Sequence, residues 1–149
     1  MFMTNIPRRK IYEEMLIYED GLIEIEILIS TKKKIEDNIE FLDNIFNQIE
    51  KSYFKIKALF ILFLENKKFE TDEELNKELE KLVSQNLKIN EILFENKNLN
   101  NDFKNSIKEI DKLFENKKNE NDLKEIFKKL DKFNHLIPDL LTIRRDKMN

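Results

Sequence analysis

The sequence predicts an all-α protein, a bundle of about five to six helices forming a single domain over residues 1–149. Three observations carry this. The chain has one Gly and two Pro, too few turn residues for the many tight reversals of a sandwich or barrel. Charged residues (38%) are interleaved with hydrophobic ones (40%) throughout, as in helices with one wet and one buried face. Apolar side chains also recur at spacings of 3, 4, 3, 4 over a long run, the period of a helix that keeps one face against a neighbour.

The N-terminal segment admits two readings. Ile11, Met15, Tyr18, Leu22, Ile25 and Ile29 follow helical spacing, and Pro7 suits a helix start. Ile23, Ile25, Ile27 and Ile29 also alternate with Glu24 and Glu26, and Asp20-Gly21 is a good hairpin turn, so residues 10–29 fit a β-hairpin as well. Helix is favoured, because an isolated hairpin is marginal in water. Gly21 then marks a bend.

The heptad run comes next. It reads Ile25, Leu28, Lys32, Ile35, Ile39, Leu42, Phe46, Ile49, Tyr53, Ile56, Phe60 and Phe63, with Lys32 its one polar member. It predicts one coiled-coil-like helix over about residues 22–65, about 65 Å long at 1.5 Å per residue. With the segment before it, residues 7–66 form a long helix or a bent helix pair. Ile29, Ile45, Leu59 and Leu62 widen the stripe, which suits burial by more than one neighbour.

Thr71 and Glu74 form a capping box that opens a helix over about residues 72–96, with seam Leu75, Leu79, Leu82, Asn86, Ile89 and Leu93. Asn86 either sets register from a buried position or touches water at the seam's edge. Shorter helices follow at about 101–116, 120–134 (with Asn119 as N-cap) and 138–147, the last opened by Pro138. Phe94-Glu95-Asn96-Lys97 and Phe114-Glu115-Asn116-Lys117 are identical, and Phe63 to Lys67 is a looser copy. Each reads as a helix end: a last core Phe, an Asn tolerant of left-handed backbone, and a Lys near the terminal carbonyls.

Chemistry is constrained by what is missing. There is no Cys, which removes thiolate metal sites and nucleophiles and fits a reducing, cytoplasmic interior. His135 is the only His, so multi-histidine sites cannot assemble in one chain. With Asp131 four residues before it, it could form one carboxylate–imidazole pair; a polar residue near a helix end is the preferred reading. With a lone Gly, phosphate-cradling loops are absent. No catalytic residue, metal or cofactor is expected. The most apolar stretch, residues 58–64, is far shorter than the roughly 20 residues that span a bilayer, so no membrane association is expected. Lys, Asn, Ile and Phe are abundant together, as AT-rich codons produce, which fits a bacterial or phage source.

What remains is interaction. All four arginines lie near the two ends, in Arg8-Arg9-Lys10 and Arg144-Arg145-Asp146-Lys147. Arg8, Arg9, Lys10, Arg144, Arg145 and Lys147 are therefore the candidate contact residues, arginine being suited to bidentate carboxylate or phosphate contact. The expected function is a non-enzymatic protein–protein interaction module: an adaptor, a complex subunit or a small inhibitor. It would bind another protein, or itself, through an apolar helix face. The alternative is a nucleic-acid-associated module using the terminal Arg/Lys clusters, but charge balanced at −3 overall does not build the one-sided field nucleic acid favours.

Overall fold

An antiparallel helix pair forms the spine. In the computed structural model, which describes residues 6–32, 36–115 and 122–148, α1 (Ile6–Ser30) runs out and α2 (Ile39–Leu64) runs back along it. A 3₁₀ turn, Glu36–Asn38, precedes α2. Glu14 sits by Lys55, and Gly21 by Ile49 and Ile45, so partners descend along α2 as they ascend along α1. The spacing of apolar residues explains the pairing. α1 buries Ile11, Met15, Tyr18, Leu22, Ile25 and Leu28; α2 buries Leu42, Phe46, Ile49, Tyr53, Ile56, Phe60 and Phe63. Each row is a ridge that needs cover, and each ridge covers the other.

The single helix expected over residues 22–65 is therefore two helices, and residues 7–66 form a reversed pair. Lys32, the polar exception on the seam, has φ 54°, and its N–H donates to the Ile29 carbonyl at 3.2 Å. It closes α1 as a left-handed residue. That conformation costs a non-glycine roughly 1 kcal/mol. An unbroken helix would leave its long apolar row without an intramolecular neighbour, and burying such a row is worth several times more. The break also resets the phase: Ile39, expected on the seam, is 56% exposed. Ile35 lies outside the described residues. The hairpin alternative over residues 10–29 gives way to helix, because they all fall within α1. Its isoleucine alternation arises from two helix faces: Ile25 is buried, while Ile23 and Ile27 are exposed.

The rest of the bundle packs around this pair. α3 (Asp72–Val83) and α4 (Asn86–Glu95) lie on α2, α6 (Leu123–Met148) lies on α1, and α5 (Asn101–Glu115) lies on α6. Among the described residues there is no strand, and no helix is long and apolar enough to cross a membrane. The helix expected over 72–96 is interrupted at Gln85, which leaves helical geometry (φ −114°, ψ 50°). Just before it, the Ser84 hydroxyl donates to the Lys81 carbonyl at 2.7 Å, offering the chain a local alternative to the helical ladder. The Asn86 side chain, whose role the sequence left open, lies outside the described residues. The helices expected at 120–134 and 138–147 are one, with Pro138 inside α6. Interior proline weakens a helix, but Phe133, Ile137, Leu140 and Leu141 continue one buried face across it.

Caps are read well from the sequence. The Thr71 hydroxyl accepts from the Glu74 N–H at 3.3 Å, while Glu74 accepts from the Glu70 N–H at 3.2 Å, one residue earlier than the box pattern places it. Asn119, the expected N-cap of the C-terminal helix, lies outside the described residues; Asp122 caps α6 by accepting from the Lys124 and Glu125 N–H groups. Among the described residues, the copies at Phe63 and Phe94 mark helix ends. After α2, Asn66 is left-handed (φ 56°), and the Lys67 N–H reaches the Leu62 carbonyl in a six-to-one bond. Asn96 stays at φ −73° and instead accepts from the Asn98 N–H at 2.8 Å. Asn116 lies outside the described residues.

At Gly21 the side chain of Ile49 on α2 packs directly against the backbone of α1. A Cβ there would lie 2.4 Å from Ile49 Cγ1 and 2.8 Å from its Cδ1. Ile49 is fully buried and stiff at χ1. Gly21→Ala should therefore destabilise the protein by about 1–2 kcal/mol through overpacking, although Ala is the better helix former. Urea denaturation followed by circular dichroism checks this. In an Ile49→Ala background the same change should become neutral or stabilising, and a stabilising effect in the wild-type background would show that the two helices are free to separate.

Candidate functional site

Two features stand apart from the ordinary core: an apolar row on the outside of α1, and a charged cluster inside. The row consists of Tyr12, Leu16, Ile23 and Ile27, exposed by 39–63%. At about 100° per residue these four fall within roughly 60° of arc, on the side of α1 facing away from α2. Ile39 and Phe41, at the start of α2, are also exposed and lie at the same end of the pair as Ile27. Single exposed apolar residues are ordinary, whereas an aligned row of them is not.

Beside Leu16, Ile23 and Ile27 the charges that α1 itself carries have one sign, while Arg8, Arg9 and Lys10 stand at its start. Residues 11–31 contain no Lys or Arg, although the whole chain has 27. Glu13, Asp20, Glu24 and Glu26 are exposed there. On the helical wheel Glu13, Asp20 and Glu24 fall on one flank of the row and Glu26 on the other. Glu13 pairs with Arg9 (3.0 Å) and Lys10 (3.2 Å).

The inner cluster centres on Lys57, whose side chain is fully buried. Its ammonium donates to Asn90 Oδ1 at 2.9 Å and Asp111 Oδ1 at 3.2 Å, and lies 4.6 and 4.9 Å from the ring centres of Tyr53 and Phe54. The Tyr53 hydroxyl donates to Asp111 Oδ1 at 2.5 Å, and the Asn90 amide donates to Asp111 Oδ2 at 2.9 Å. Four side chains from α2, α4 and α5 thus satisfy one another. A groove of about 440 Å³ between α1 and α2, lined by Glu14, Ile17, Gln48, Lys51 and Lys55 among others, includes none of them.

Burial lowers the Lys57 pKa, an effect that Asp111 opposes. Burial also holds the Tyr53 and Tyr18 hydroxyls well above their ordinary value of 10.0, reinforced by Asp111 and Asp131 respectively. These shifts set the alkaline response. Below 10.5, the ordinary value for Lys57, the unfolded chain holds that proton more tightly than the folded one, so stability should rise as pH climbs towards it. The tyrosines act oppositely: their contribution is complete below 10.0 and lost above it, because the folded chain keeps protons the unfolded chain releases. Urea midpoints measured against pH should show a rise and then a fall. Lys57→Met should flatten the rise, and Tyr18→Phe should soften the fall.

The candidate contact residues divide. Arg9 pairs with Asp72 and with Glu13, and Lys10 with Asp72 (3.5 Å) and Glu13, tying the start of α1 to the first turn of α3. The hydrogen bond to Arg9 holds the Asp72 carboxyl below the usual carboxylate range. Arg8 lies over the Tyr12 ring at 5.5 Å. The side chains of Arg144, Arg145 and Lys147 lie outside the described residues. His135 stands 72% exposed within α6, away from the helix end expected for it, since the two expected helices are one. Its Nδ1 is 2.9 Å from the Asp131 carbonyl and 3.4 Å from its carboxylate.

Sequence reading missed both features. Lys57 follows seam residue Ile56, and nothing in the sequence around it marks it for burial; only the arrival of α4 and α5 encloses it. The outer row was visible in part, but Ile23 and Ile27 were absorbed into the hairpin alternative. The apolar stripe from Ile25 to Phe63 is largely covered within the chain by the α1–α2 reversal. The chain matches no protein family, and neither a curated protein nor a solved structure matches it.

Proposed function

We propose that this protein is a non-enzymatic helical interaction module, an adaptor, complex subunit or small inhibitor, whose contact surface is the outer face of α1. The observation that carries this reading is the aligned row Tyr12, Leu16, Ile23 and Ile27 on the solvent side of a helix whose inner face is already buried. Covering such a row in an interface would remove apolar area from water at about 25 cal/mol per Å². The Lys57 cluster supports the same reading from the other direction, because its groups satisfy one another around a buried lysine, an arrangement that specifies packing.

The test is site-directed photo-crosslinking in native cells. A photo-reactive residue at Leu16 should yield a discrete adduct with another protein, and one at exposed Lys128 on α6 should not. Identical patterns from both positions, or no adduct from Leu16, would refute the reading.

A further inference from the structure

Charge around the α1 row defines what can cover it. We propose that the outer face of α1 binds a basic amphipathic helix of another protein, one with its own apolar row flanked by Lys or Arg. This rests on the interaction reading above and names the chemistry of the partner.

The geometry suits a helix. Tyr12 to Ile27 spans four turns, about 22 Å at 1.5 Å per residue, and a row spaced by four, seven and four residues stays on one face, which is what a second helix packs against. The flanks select its charge. Carboxylates lie on both sides of the row, and none of Asp20, Glu24 and Glu26 pairs with a cation among the described residues. Flanking charges of this kind set partner choice in helix pairs. A second copy fits poorly, because two α1 helices face to face would bring these same acids together. Anionic lipid and nucleic acid meet the same repulsion.

The test titrates the full-length chain against two labelled helical peptides that share one leucine row, one flanked by Lys and the other by Glu, read by fluorescence anisotropy. The Lys-flanked peptide should bind about tenfold more tightly, with the advantage shrinking as salt rises. Asp20→Lys combined with Glu24→Lys should invert the preference, and Ile23→Glu should weaken both. All three positions are exposed, and unchanged circular dichroism and melting temperature confirm that the variants fold. Equal affinities, no binding of either peptide, or a preference untouched by charge reversal would overturn the proposal. So would a dimeric mass in light scattering that Ile23→Glu abolishes, which would assign the face to a second copy. If Leu16 crosslinks a partner in cells while the peptides bind equally, the interaction reading stands and the basic-partner inference falls. If Leu16 also yields no adduct, both fall.

Discussion

Phe133→Ala should cost this protein about 4 kcal/mol of folding stability. Phe133 is fully buried on α6, and its ring meets Tyr18 of α1 at 5.7 Å, Tyr53 of α2 at 5.1 Å and Phe103 of α5 at 5.3 Å between centroids. Four helices meet at this ring. Truncation removes the transfer energy of a benzyl group and leaves a cavity that four separate helices cannot all close upon. Two of the three neighbours are tyrosines, and the chain has no Trp, so the near-ultraviolet dichroism of tyrosine should fall even where the variant stays folded. Phe41→Ala is the control: Phe41 is 44% exposed, and its loss should cost less than about 0.5 kcal/mol. Similar urea midpoints for the two variants would mean that α6 is not docked as described.

Asp111→Ala should cost about 3–5 kcal/mol, and Lys57→Met much less. The asymmetry follows from burial. Removing Asp111 leaves an enclosed ammonium with only Asn90 and two ring faces for company. Removing Lys57 leaves a carboxylate whose side chain is 22% exposed and still accepts from Tyr53 and Asn90. The double variant should therefore be more stable than Asp111→Ala alone. The Asp111→Ala protein should also recover towards wild type as pH rises towards 10, because its lysine then sheds the proton that makes burial costly. Equal losses for the two single variants would show that water reaches the Lys57 ammonium.

Much of the architecture was readable because it depends on local rules. Thr71 caps α3 and the words at Phe63 and Phe94 end helices through interactions within a few residues, and the seam from Leu42 to Phe63 is buried because its spacing gathers on one face. Segment boundaries failed where long-range burial overrode local preference. The stretch from Thr31 to Asn38 has neither Gly nor Pro to announce a reversal, and Pro138 looks like a start signal. In both places the arrangement that buries more apolar surface decided, with a left-handed Lys32 in one and a helix carried through proline in the other.

The site divides along the same line. The acidity of residues 11–31 and the apolar identity of Leu16, Ile23 and Ile27 are properties of the sequence alone. Which side of α1 faces water is not, since a helix with apolar residues on two faces has two possible inner sides. Gly21 resolves it: lacking a side chain, it allows α2 to approach until Ile49 fills the space, and that contact turns Ile23 and Ile27 outward. Lys57 is the converse case, an ordinary lysine in sequence made a buried ion by helices that arrive from 33 and 54 residues away. The sequence alone determined helices, caps and the apolar rows, because those obey spacing. Tertiary structure decided which row is covered and which charge is enclosed, because burial depends on neighbours distant in the chain.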